Sequence, residues 1–314
     1  MNNYEKTNLI VQISKMYYEH NIGQREIAER LNISRSYVSK LLIESRTLGI
    51  VRIEINDPLE TESTIEQSIR TKYRLNKAIV VPIRAAEYDM TLERIAAALS
   101  RYLFATVQSG DIIGVAWGKT LQMVANKLMR KDCSGGIITQ LYGGFPTVNR
   151  EASVQEIILK FARAFNFKPH FMLLPAIVDS PEIKEAIEQD KGVARALELA
   201  EQSQIAIFSV GRFGVKSSLV EAGYFTEEQV EKLHRRGVVG DVCARLFDSS
   251  GNIVDSNFDD RSIGIPLHHL REKKHSILVS GGKEKILPIH GALTGGYANV
   301  LVTDEHTAQG LLHI

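Results

Sequence analysis

The chain has 314 residues, 44% of them hydrophobic and 24% charged, with 38 Lys and Arg against 37 Asp and Glu. That length suits about two domains, and the composition excludes disordered, collagen-like and disulfide-scaffold chains. A net charge of +1 gives no bulk sign of a nucleic-acid partner, so any such sign must be local. The opening MNNYEKTNLIVQ lacks the organisation of a signal peptide, and no apolar run approaches the ~20 residues that span a bilayer. Cys133 and Cys243 lie far apart in apolar segments, which predicts two buried thiols instead of a disulfide or a metal site. The expectation is a cytoplasmic protein with no membrane partner, metal or cofactor.

Leu9, Ile10, Ile13, Met16 and Tyr17 recur at helical spacing and predict a first helix. A second follows, with Ile27, Ala28 and Leu31 as its inner stripe, then a tight turn at Asn32 and Ile33. Ser34 is a good N-cap for a third helix whose stripe is Val38, Leu41 and Leu42. Helix, short turn, helix in about twenty residues is the helix-turn-helix arrangement. Asn32 stands where the turn usually has glycine, a mild change because Asn tolerates the left-handed conformation. Residues 49–55 then alternate apolar and polar, predicting a half-buried strand and hence a winged variant. The third helix is expected to enter the major groove of double-stranded DNA. Its predicted contacts are Ser34, Arg35, Ser36, Tyr37, Ser39, Lys40 and Arg46, joined by Gln24 at the start of the second helix. Residues 1–60 carry eight basic and eight acidic side chains, yet between Ser34 and Arg52 four basic residues face only Glu44. A neutral domain with a positive reading face makes few phosphate contacts, so a homo-oligomer, dimer or tetramer, on a symmetric site is expected.

Asp57-Pro58 predicts the boundary, giving a DNA-binding domain over 1–57 and an effector-binding and oligomerisation domain over 58–314. Ile65, Ile69 and Tyr73 predict a linker helix. Strands are expected at 78–83, 111–116, 136–141, 170–176, 205–211, 238–247, 276–282 and 298–304. Helices between them are expected at 91–107, 152–165 and 180–202. Such alternation predicts an α/β domain with a mostly parallel, helix-covered, Rossmann-like sheet. Ligands bind such sheets beyond the carboxyl ends of the strands.

Four strand ends there carry suitable chemistry. Gly114-Val115-Ala116-Trp117-Gly118-Lys119-Thr120 has three residues between its glycines where a nucleotide-binding P-loop needs four, which argues against nucleotide hydrolysis. A strand ending at glycine before a helix is still an anion site, to which Lys119 and Thr120 add a charge and a hydroxyl. Leu141-Tyr142-Gly143-Gly144 is a second strand end, with Glu151 shortly after it. Asp241, after Gly240, places a carboxylate where sugar hydroxyls could bind. Gly281-Gly282 before Lys285 suits a phosphate again, whereas Lys283 reads as solvated surface and His290 equally as core or contact. Two anion corners with acceptors between them suit a phosphorylated sugar.

These segments, with YYEHNIGQREIAERLNISRSYVSKLL in front and GYFT, VVGDVCARLFDSSGNI and SILVSGGKEKILPIHGAL behind, resemble the SorC/DeoR-like family of bacterial sugar-binding transcriptional regulators over nearly the whole chain. The resemblance implies a winged helix-turn-helix domain and an effector domain similar to glucosamine-6-phosphate deaminase-like proteins. It implies a sugar-phosphate or related effector, and dimers or tetramers on palindromic operators. It places a phosphate-binding turn at Gly118, Lys119 and Thr120, assisted by Lys285. Tyr142 falls at a position that tracks the effector. A relative of the deoxyribonucleoside type has a Schiff-base lysine there and a bisphosphate-binding relative an arginine. Tyr142 argues against both an imine and a second phosphate at that spot. The competing reading is a sugar-phosphate isomerase or deaminase with an accessory N-terminal domain, since fold does not fix function. Against it, Asp241, Glu151 and His290 are scattered along the chain and form no tight acid–base set.

Overall fold

The computed structural model describes residues 3–51, 62–83, 88–145 and 154–314. The chain divides into two compact units, Met1–Thr61 and Glu62–Ile314.

In the first unit α1 (Asn3–Ser14) runs into a π-helical turn at Lys15–Glu19, followed by α2 (Gln24–Leu31) and α3 (Arg35–Thr47). α2 stops because Asn32 takes the left-handed conformation, φ 51°. The N–H groups of Ile33 and Asn32 then close on the carbonyls of Ala28 (3.0 Å) and Glu29 (3.3 Å), the paired bonds of a Schellman turn. α3 starts two residues later, where the Tyr37 N–H donates to Ser34 Oγ at 3.1 Å. Ile10, Ile13, Ile27, Ala28, Val38, Leu41 and Leu42 form the core, with Ile33 packed against it. The strand expected over 49–55 lies outside the described residues from Arg52 onward.

The second unit carries β1 (Lys77–Val81), β2 (Ile112–Val115), β3 (Ile137–Gln140), β4 (Lys168–His170), β5 (Ile205–Phe208), β6 (Gly211–Arg212), β7 (Gly240–Val242), β8 (Arg245–Phe247), β9 (His275–Val279) and β10 (Val300–Asp304). Among the described residues β1-β10-β9-β5-β2-β3-β4 form one sheet in that order, every pair parallel. Ile277 and Val279 face one side and Leu278 the other; Val300, Val302 and Leu301 divide in the same way. Both faces are therefore apolar, as a parallel sheet covered on both sides requires. One face is covered by α5 (Tyr88–Thr106), α6 (Lys119–Lys127) and α7 (Val154–Phe165). The expected linker helix, α4 (Thr64–Tyr73), instead packs on the opposite face beside the C-terminal helices. Glu66 accepts the Val80 N–H at 2.8 Å, and Lys72 and Tyr73 donate to the Leu311 carbonyl.

Three expected elements come out differently. Residues 180–202 split into α8 (Pro181–Glu188) and α9 (Lys191–Gln202), because Asp190 caps the second helix, accepting from Gly192 (2.8 Å) and Val193 (3.2 Å). The strand expected over 170–176 ends at His170. Residue Gly144 bridges Pro175 and Ile177 bridges Ser262, so this stretch is chain crossing, not sheet. Residues 238–247 are two antiparallel strands, not one. Cys243 (φ 51°) and Ala244 (φ 63°) turn between β7 and β8, and β6 extends the pair to three strands. Two positive φ angles at the central residues are those of a type I′ hairpin turn, here without the usual Asn or Gly. Both cysteines are buried and free. The rest of the chain adds α10 (Ser218–Glu221), α11 (Glu227–Arg235), α12 (Ser256–Asp259), α13 (Leu267–Leu270), α14 (Ile286–Thr294) and α15 (Glu305–His313).

Candidate functional site

From β2 the chain moves outward to β3 and β4, then returns to place β5 on the other side of β2. The carboxyl ends of β2 and β5 therefore open a crevice where the strand order reverses, the usual place for a ligand in such sheets. A cavity of about 430 Å³ lies there. It meets Ala116 to Leu121 after β2, Tyr142 after β3, Ser209 to Arg212 after β5, Lys216 to Leu219, the β7–β8 hairpin at Asp241 and Cys243, and Glu284 and Lys285 after β9.

Gly118 has φ 124°, a conformation glycine adopts freely and L side chains rarely do, and no side chain caps α6. The first N–H groups of that helix thus open on the cavity beside Lys119 and the buried Thr120, a ready anion corner. Opposite, Gly281 and Gly282 lead into a short turn ending at Lys285. Burial pulls the Lys285 ammonium below its usual pKa, opposed by Glu284 and Asp241 and aided by Arg212. Burial pushes the Asp241 carboxyl up to about 6, against the Ala244 N–H and the charge of Lys285. Ser209 Oγ is buried with no protein hydrogen-bond partner. An aromatic wall closes one side. Trp117 stacks on Tyr142 at 5.2 Å and 16°, meets Phe145 edge-on at 4.9 Å, and donates from Nε1 to the Gly143 carbonyl at 2.9 Å. Tyr142 is buried, which with Cys243 and Asp241 nearby holds its hydroxyl well above the usual pKa.

Gly118, Lys119, Thr120, Tyr142, Asp241 and Lys285 thus meet at one cavity. Gly143 and Gly144 do not line it. Their N–H groups donate to the carbonyls of Ile263 (3.1 Å) and Leu174 (2.8 Å); a Cβ on Gly143 would strike Pro175, so Gly143 serves close chain packing, whereas a Cβ on Gly144 would meet only Val154 at 3.9 Å. Glu151 lies outside the described residues. His290 turns away, its Nδ1 2.9 Å from the Tyr73 hydroxyl. Among the described residues no group of three or more His, Cys, Asp or Glu is placed to hold a metal, and no helix is long and apolar enough to cross a membrane.

In the first unit Arg35, Ser36, Lys40 and Arg46 are exposed on α3, while Ser39 and Gln24 are half-buried. The hydroxyls of Ser34 and Ser36 lie 3.0 Å apart. Tyr37, expected to point outward, packs partly against the core. The one carboxylate of α3, Glu44, is paired with Lys6.

Residues 57–313, which include every wall of the cavity, match the profile of a sugar-binding domain family. The chain belongs to the SorC/DeoR-like family of sugar-binding transcriptional regulators. It is 39% identical over 309 residues to the deoxyribonucleoside regulator of Bacillus subtilis (strain 168), covering 98% of each chain. It is 30% identical over 314 residues to the sorbitol operon regulator of Klebsiella pneumoniae, covering 99% of this chain and 100% of that one. The crystal structure of full-length SorC from Klebsiella pneumoniae matches with a TM-score of 0.82 at 29% identity, over 99% of both chains. Like it, this SorC/DeoR-like chain is mixed α/β with a mostly parallel sheet.

Sequence reasoning missed the third side of this regulator's cavity, Ser209, Arg212, Lys216, Ser217 and Ser218. The signal was there: glycine and basic residues, then paired serines, follow β5, as Gly118-Lys119-Thr120 follows β2. The interposed β6 hid it. Trp117 and Phe145 were missed because apolar residues at strand ends read as core.

Proposed function

We propose that this regulator governs a carbohydrate operon through one sugar monophosphate held in the switch-point cavity of a Rossmann-like, glucosamine-6-phosphate deaminase-like domain. The supporting observation is the cavity's charge. Among the described residues Lys119, Arg212, Lys216 and Lys285 line the cavity, with the carboxylates of Asp241 and Glu284 beside them. A phosphate monoester carries about −1.5 to −2 near neutral pH and suits a corner rich in cations. The volume is within the usual 300–1,000 Å³ of ligand pockets. The N-terminus of α6, Lys119, Thr120 and Lys285 take the phosphate. Asp241 and Ser209 bond sugar hydroxyls, and the ring lies against Trp117 and Tyr142. Tyr142 offers no amine, so no imine forms with the sugar at that position.

Residues 1–57 act as a winged helix-turn-helix domain, with α3 in the major groove of operator DNA and Arg35, Ser36, Ser39, Lys40 and Arg46 toward it. Binding by dimers or tetramers in the cytoplasm follows from the few phosphate contacts one unit offers. Effector and DNA then bias the same equilibrium between quaternary arrangements, each altering the other's affinity by the same factor. The test is titration of the full chain with sugar monophosphates and the matching free sugars, read by thermal shift and by operator gel shift. The expected result is stabilisation and altered DNA affinity by a monophosphate alone. Equal response to the free sugar, or turnover of the phosphate, would overturn the reading.

A further inference from the structure

α3 turns Val38, Leu41, Leu42 and Ser45 inward. At about 100° per residue, Ser36, Lys40, Ile43 and Thr47 occupy the opposite direction within roughly 60° of arc. Ser39 and Arg46 flank them. This row is polar and basic except for one side chain: Ile43 is 55% exposed. The core of the unit is complete without it, since Leu41 and Leu42 already fill that part of the helix–helix contact.

Ile43 stands seven residues beyond Ser36, about 10 Å further along the helix. That is the rise of about three base pairs, so a helix presenting Ser36 to one base edge carries Ile43 past others in the same groove. The major groove offers hydrogen-bonding atoms and one aliphatic group, the C5 methyl of thymine. The charges around Ile43 say what covers it. Lys40 and Arg46 flank it, both exposed, and the only carboxylate of α3, Glu44, is paired with Lys6. A protein surface would have to bury those cations beside the isoleucine, whereas a polyanion pairs with them. Resting on the DNA-binding reading above, we infer that Ile43 is a specificity-determining residue that packs against a thymine methyl in each operator half-site.

The experiment uses the full chain. Bound duplexes are selected from a random pool, and each thymine of the winning site is then replaced singly by deoxyuridine, which removes only the methyl. For the wild type, one position per half-site should lose affinity about three- to fivefold, the worth of one methyl returned to water. Ile43→Ala should bind the parent duplex more weakly by a similar or larger factor and no longer distinguish thymine from deoxyuridine at that position. Ile43→Val should keep part of the discrimination, and unchanged circular dichroism verifies the fold of both variants. If deoxyuridine costs Ile43→Ala as much as the wild type at every position, the inference is overturned. If the wild type selects no duplex, the DNA-binding reading itself falls and the inference with it.

Discussion

Gly264 lies so close behind Tyr142 that a Cβ on the glycine would stand 2.6 Å from the tyrosine Cα. Its φ of 148° is also one that side-chain-bearing residues rarely adopt. The two residues form an antiparallel bridge, and the segment around Gly264 is tied down by Arg245. That buried guanidinium donates to the carbonyls of Ile265 (3.1 Å), Gly264 (3.0 Å) and Ser262 (3.4 Å) and pairs with Asp259 at 2.6 Å. A segment pinned in this way cannot retreat, so Gly264→Ala must push Tyr142 toward the cavity. The expected cost is about 1–3 kcal/mol of stability, the usual range for overpacking. It should come with loss of effector-induced thermal stabilisation. A denaturant midpoint and an effector titration check both; wild-type affinity in the variant would count against Tyr142 as a cavity wall.

Lys285 is costly to keep where it is, since burial disfavours its charge. Replacing it should therefore leave the ligand-free protein no less stable while weakening the effector. A hydrogen bond to a charged group is worth ~1.5–3 kcal/mol, so Lys285→Met should lose about ten- to a hundredfold in affinity for a sugar monophosphate. Calorimetric titration measures it, with Lys283→Met, an exposed neighbour, as the control expected to change little.

Asp241 sets a pH dependence in the ligand-free protein. Its carboxyl is raised from 3.8 to about 6 in the folded chain. Between about pH 4 and pH 6 the folded state thus holds more protons than the unfolded state, and stability attributable to this group falls as pH rises. The cost is complete above about pH 6. Asp241→Asn, which still accepts the Ala244 N–H, should gain stability relative to the wild type across that window and keep the gain above it. Urea midpoints at several pH values would show this; a constant difference from pH 4 to 7 would contradict it.

What could be read from the sequence was what local chemistry decides. Asn32 and Ser34 mark the turn before α3 because both act locally, Asn32 by taking the left-handed conformation and Ser34 by accepting the Tyr37 N–H three residues on. Gly118-Lys119-Thr120, Asp241 and Lys285 could be picked out because each sits at a strand end, where the ligand rule looks. The β7–β8 hairpin could not. Its turn is Cys243-Ala244, residues with no turn signal, held in positive φ by a fold that Arg245 staples from distant carbonyls. For the same reason Gly143 read as a ligand glycine: its crossing partners, Pro175 and Ile263, are far along the chain and invisible to any local window.

Trp117 is the chain's one tryptophan, and it lines the cavity. Its indole N–H is committed to the Gly143 carbonyl and one face to Tyr142, so a ligand entering the cavity changes its surroundings without displacing it. Tryptophan emission should shift or change intensity as a sugar monophosphate is added, saturating with the same affinity as calorimetry. Lys285→Met should move the fluorescence titration to higher concentration by the factor calorimetry reports. A saturable calorimetric signal with unchanged emission would place the ligand elsewhere.

The ion pair of Lys6 with Glu44 has a consequence for DNA, because it neutralises the one carboxylate on α3. Lys6→Met leaves that carboxylate uncompensated on the helix that carries Arg35, Lys40 and Arg46. Binding to duplex DNA should weaken by about two- to fivefold, the ~0.4–1 kcal/mol typical of one exposed charge, and more at low salt, where screening is weaker. Glu44→Gln should do the reverse. The double variant, with both charges gone, should return close to wild-type affinity, which a loss of packing by Lys6 would not allow. Gel shifts of all four proteins at two salt concentrations measure the cycle. A double variant as weak as Lys6→Met alone would show that Lys6 acts through structure and not through charge.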